Sequence, residues 1–127
     1  MMPHEEWMGR ALSCFALSTM PKDDIVLYED LCFQLQFSVE LAYKALIIFY
    51  GTQHEKTHDL ARLIDTLKKH TDIPEFIYNS AVLTRYVTVT RYPSPQSTVA
   101  ESEYKIAVEI AKECLEWVQN KLKDGAS

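Results

Sequence analysis

Apolar and polar residues follow the period of a helix along most of this chain. Met8, Ala11, Leu12 and Phe15 recur at spacings of three and four, with Pro21 just beyond them, which predicts a first helix over about residues 5–19. A longer helix is predicted over about 25–50. One of its stripes is Leu31, Leu35, Val39, Ala42, Leu46 and Phe49, and Phe33, Phe37, Leu41 and Ile48 form a second beside it. So broad an apolar surface predicts a helix covered on more than one side, closed by Gly51. A third helix starts near His58, with Thr57 as its cap and Leu60, Leu63, Ile64 and Leu67 facing inward. Pro74 suits the first position of a fourth, which runs to about Tyr86 or Thr88. Thr98 and Glu101 have capping-box spacing for a fifth, whose stripe runs from Ile106 through Ile110, Cys114 and Val118 to Leu122.

Short connections between these helices predict an all-α, five-helix up-and-down antiparallel bundle, a single domain over 1–127. Val87 to Thr90 has strand-like residues, but no partner strand is evident in the sequence. The chain must leave the fourth helix near Arg91-Tyr92-Pro93, because the residue before a proline disfavours helix and Pro93 and Pro95 carry no N–H.

Composition narrows the function. Three glycines and five prolines exclude repeats and long flexible linkers, and a formal charge of −5 argues against a general nucleic-acid coat. Cys14, Cys32 and Cys114 lie far apart within apolar stripes, which predicts buried thiols in a reducing cytoplasm rather than a metal site. Glu5, Glu6 and Arg10 precede any apolar run, unlike a signal peptide, and the run Ala45 to Tyr50 is too short to span a bilayer. No membrane partner is expected.

Candidate chemistry is sparse. His54-Glu55-Lys56-Thr57-His58 matches the H-E-x-x-H zinc-protease pattern, which needs both histidines on one face of a continuous helix. Thr57 reads as a cap, so the motif straddles a helix boundary, and no metal or other cofactor is expected. The pairs Glu40–Lys44, Glu101–Lys105 and Lys112–Glu116 have the spacing of solvated helix support. No Gly-rich phosphate loop, G-x-S-x-G or C-x-x-C is present, so no catalytic residue is assigned.

Several stretches together resemble the HEPN (higher eukaryotes and prokaryotes nucleotide-binding) family. These are Tyr28 to Gln36, Glu40 with Lys44-Ala45-Leu46, His58-Asp59-Leu60-x-x-Leu63, Leu83-Thr84-x-Tyr86, Thr90-Arg91-Tyr92-Pro93 and a final helix with Trp117. The resemblance covers nearly the whole chain, in order. It implies a five-helix bundle similar to the helical domain of kanamycin nucleotidyltransferase, often a homodimer, commonly paired with a small nucleotidyltransferase. Ribonuclease members carry an arginine followed by four to six residues and a histidine. Here no histidine follows Arg85 or Arg91, so the acid–base residue of that chemistry is missing.

Two readings follow. The first is a cytoplasmic, non-catalytic module that binds a nucleotide or a nucleotidyltransferase, with Arg91 on a phosphate, Tyr92 or Tyr86 stacked on a base and Lys44 adding charge. Each residue also has a plain alternative: Arg91 as a helix cap, the tyrosines as packing residues, Lys44 as the partner of Glu40. The second reading is a toxin-type ribonuclease with a divergent site.

Overall fold

The computed structural model describes residues 1–126, whose regular structure is all helical with no strand among them. Helix α1 runs Pro3–Thr19, α2 Tyr28–Phe49, α3 Leu60–Leu67, α4 Glu75–Asn79 and α5 Glu101–Ala126. Between α4 and α5, Ser80–Val87 is wound as a 3₁₀ helix.

Helix α2 is the axis of the bundle and packs against α1, α3, the 3₁₀ stretch and α5. Ten consecutive residues, Ser38 to Ile47, are buried, so this part of α2 is covered on every side. Its length and composition would let it cross a membrane, but 72% of its most apolar window is buried inside the bundle, which accounts for that composition. The core joins Leu35, Val39 and Leu46 of α2 to Leu63 and Leu67 of α3 and to Ala111, Leu115 and Val118 of α5.

Helix ends differ from the spacing-based expectations where side chains claim the backbone first. Asp23 accepts from the Ile25 N–H at 2.9 Å, and this Asx turn holds residues 25–27 outside α2. Gly51, at φ +79°, closes α2 in a Schellman motif: its N–H donates to the Ile48 carbonyl at 2.9 Å and the Thr52 N–H to that of Ile47 at 3.2 Å. Helix α3 is capped by Asp59, whose carboxylate accepts from the Ala61 N–H at 3.0 Å, while Thr57 accepts from the Asp59 N–H one turn earlier. Thr98 does not cap α5. The Val99 N–H donates to Glu29 at 3.1 Å, Val99 is buried, and the helix starts only at Glu101.

The largest departure is the fourth helix, of which only α4 is α-helical. Ser80 donates to the Ile77 carbonyl at 2.6 Å and lies 2.6 Å from the Tyr43 hydroxyl of α2. Thr84 accepts from the Leu60 N–H at 3.2 Å, and Tyr86 donates to Glu103 at 2.5 Å. These three tethers to α2, α3 and α5 pull the segment into the longer rise of a 3₁₀ helix, about 2.0 Å per residue.

Candidate functional site

The 3₁₀ helix ends where the Arg85 carbonyl accepts from both the Thr88 and Thr90 N–H groups, at 3.2 and 3.1 Å. These backbone bonds do the capping expected of Arg91. The chain then loops over the start of α2. Ser97 fixes the loop by donating to the Ser94 carbonyl at 2.8 Å and accepting from the Ser94 N–H at 3.1 Å, and Glu29 holds Val99.

A cleft of about 120 Å³ lies between this loop and the start of α2, lined by Leu27 just before the helix, Glu29 and Asp30 on it, and Thr90, Arg91, Pro93 and Ser97 on the loop. Two of its features point to a ligand. Thr90 is only 5% exposed, and its hydroxyl has no hydrogen-bond partner among the described residues. A buried polar atom in that state costs free energy unless something else satisfies it. The Arg91 guanidinium lies 5.5 Å from the Phe33 ring centroid and 5.7 Å from that of Tyr92, and makes no hydrogen bond or ion pair among the described residues. Aromatic faces hold the group without using its N–H donors. Tyr92 is 69% exposed beside it. A larger cavity of about 400 Å³ lies between α1 and α2, bounded by Glu6, Trp7, Arg10 and Leu41. It contains no unpartnered buried atom, so the smaller cleft is the better-built site.

Arg91 and Tyr92 therefore stand together at the surface, and the other two candidates do not join them. Tyr86 is buried, and its hydroxyl donates to the same Glu103 carboxylate that pairs with Arg85. Beside it, burial pushes the Cys32 thiol up to about 12. Lys44 is 6% exposed and donates to Glu40 at 2.9 Å.

That pair is not solvated helix support; it belongs to a second, buried polar cluster. Glu40 is 2% exposed and accepts from Lys44, from the Gln36 amide at 3.3 Å and from His58 Nδ1 at 2.9 Å. Gln36 also donates to the His58 carbonyl at 2.8 Å, and its own carbonyl oxygen is the second unpartnered buried atom. Sequence reasoning missed this cluster, although a signal was present: Glu40 and Lys44 are the only Asp, Glu, Lys or Arg residues between Asp30 and Glu55. Of the other spaced pairs, Glu101 and Lys105 meet at 3.3 Å, whereas Lys112 and Glu116 form no ion pair among the described residues.

The H-E-x-x-H stretch lies in the loop before α3, not on a helix. His54 packs edge-on against Trp7 with ring centroids 4.7 Å apart, while His58 turns to Glu40. The two rings thus serve different neighbours, and the geometry that pattern needs for metal-bound water is absent.

A HEPN domain family model matches residues 4–121. Among solved structures, TT1696 from Thermus thermophilus is 23% identical, with a TM-score of 0.83 over 95% of this chain and 99% of that one. ST0689, described as an archaeal HEPN homologue, is 25% identical, with a TM-score of 0.76 over 96% of this chain and 99% of that one. No curated protein matches the chain.

Proposed function

The chain belongs to the HEPN domain family, and from that premise we propose that it is a non-catalytic nucleotide-binding module whose ligand contacts are Arg91 and Tyr92. The observation that carries this reading is the unpaired guanidinium at the rim of a cleft that also contains an unsatisfied hydroxyl. A phosphate oxygen there accepts from Arg91 in the two-pronged geometry that guanidinium favours. Asp30, which also lines the cleft, faces the ligand's own N–H or O–H donors on the base or ribose, since a carboxylate only accepts.

The cleft holds part of a nucleotide, because a pocket for a whole drug-sized ligand measures about 300 Å³ or more. The rest lies across the exposed Tyr92 ring. That outer part is free for a small nucleotidyltransferase, the protein partner we propose.

Titration calorimetry with ATP and with GTP tests the reading. It predicts saturable binding of at least one of them, one per chain, and a rise in Tm equivalent to about 2.7 kcal/mol at a hundredfold excess over Kd. Absence of both heat and shift with either nucleotide contradicts it. Cleavage of single-stranded RNA that Arg91→Ala abolishes would instead favour a ribonuclease.

A further inference from the structure

The Glu40 cluster lies apart from the Arg91 cleft and does something a purely structural tie does not require. Gln36 already fastens the 51–59 loop to α2 through the His58 carbonyl. The His58 ring adds little packing, since its side chain is 64% exposed. What the ring gains is orientation. Its Nδ1 lies 2.9 Å from a buried carboxylate that Lys44 and Gln36 hold in place. Because that carboxylate accepts and does not donate, Nδ1 carries the proton, and the lone pair of the neutral ring is left on Nε2.

The charges around the ring are sorted in the same sense. In the loop, Glu55 is paired with Arg62 at 2.9 Å, and Asp59 caps α3 through Ala61. Lys56 is exposed and forms no ion pair among the described residues. Lys56, two positions before His58, is thus a cation that no carboxylate among the described residues claims.

We propose that His58 Nε2 is a nucleophile that accepts a phosphoryl group from small anionic phosphoryl donors, with Glu40 as its positioning residue. The Nε2 lone pair forms the N–P bond as the bond from phosphorus to the leaving group breaks. With phosphoramidate as donor, reacting with its nitrogen protonated, ammonia departs with the bonding pair and no redox partner is needed. The ring becomes cationic during transfer, and the Glu40 carboxylate stabilises that charge through the Nδ1 proton. This site is independent of the Arg91 reading.

The protein supplies its own controls, because its four histidines differ in setting. His70 is also exposed, but its Nε2 lies 3.0 Å from Thr52 Oγ1. His54 and His4 pack against Trp7 and Phe49. Incubation of the full chain with phosphoramidate, read by intact and peptide mass spectrometry and by phosphorus NMR, is predicted to phosphorylate His58 at least ten times faster than His70, His54 or His4. Glu40→Gln, which keeps the shape and removes the charge, should bring His58 down to the rate of His70 and leave His70 unchanged. Equal labelling of His58 and His70 in the unaltered protein would overturn the proposal, whether or not the variant folds. A His58 rate that Glu40→Gln leaves unchanged would overturn the role of Glu40.

Discussion

Lys44 shows how much a residue's meaning depends on what surrounds it. Glu40–Lys44 and Glu101–Lys105 share the same spacing, yet the first pair is buried and the second exposed. Surface pairs of this kind contribute a few tenths of a kcal/mol, whereas breaking a buried pair leaves a charge without compensation. Lys44→Met should therefore cost about 3 kcal/mol in urea unfolding, the low end of the range, because Gln36 and His58 still reach Glu40. A loss below about 0.5 kcal/mol, the value of a surface pair, would contradict the buried assignment. The cysteines give a second check. Burial raises Cys32 from 9.0 to about 12 and Cys114 from 9.0 to about 11, so both thiols stay protonated and hidden in the folded state. A raised folded value stabilises fully below the unfolded one, so stability should hold up to pH 9 and fall as pH rises towards 11 and 12. At neutral pH a thiol reagent should modify half-buried Cys14 first and the other two only on unfolding; immediate reaction of all three would refute this. Which stripe a thiol joins was legible in the sequence. The burial of Glu40 was not read from it, because periodicity records apolar faces and ignores a lone charged pair within one.

At the scale of elements, helices with a strong period were legible and their ends were not. Helices α1, α2 and α5 occupy the stretches their stripes predict, because burying a continuous apolar face fixes a helix whatever its caps do. The ends are set by side chains from afar, such as Glu29 on the Val99 N–H, seventy positions away in sequence. The 3₁₀ segment is the clearest case, since Tyr43, Leu60 and Glu103, which tether it, all lie outside it. Gly51 is the exception that local chemistry did specify, because only glycine takes φ +79° freely. Gly51→Ala should lower stability by roughly 1–2 kcal/mol, the cost of a left-handed L-residue. No Cβ contact arises within 4 Å, so chemical denaturation reads that backbone cost alone, and an unchanged midpoint would refute the Schellman closure.

At the scale of the whole molecule, the five-helix architecture followed from the pattern of stripes, and the homodimer that the HEPN resemblance implies needs an apolar surface outside α2. The apolar surface of α2 is covered by the chain's own helices. Exposed apolar residues include Leu17 and Met20 at the end of α1 and Ile25 in the connection to α2. We propose that these residues mediate a homodimer that leaves Tyr92 free, and light scattering at micromolar concentration should give twice the 14.7 kDa chain mass; a monomer would refute it. The molecule's proposed task rests on Arg91 as a binding group rather than a structural one, and this is where one variant decides most. Affinity for whichever of ATP and GTP binds should be measured together with Tm on Arg91→Ala. The account predicts at least a tenfold rise in Kd, a loss of about 1.4 kcal/mol, with Tm almost unchanged, because the guanidinium is exposed and holds no carbonyl. Wild-type affinity for that nucleotide in Arg91→Ala, together with a lowered Tm, would contradict it.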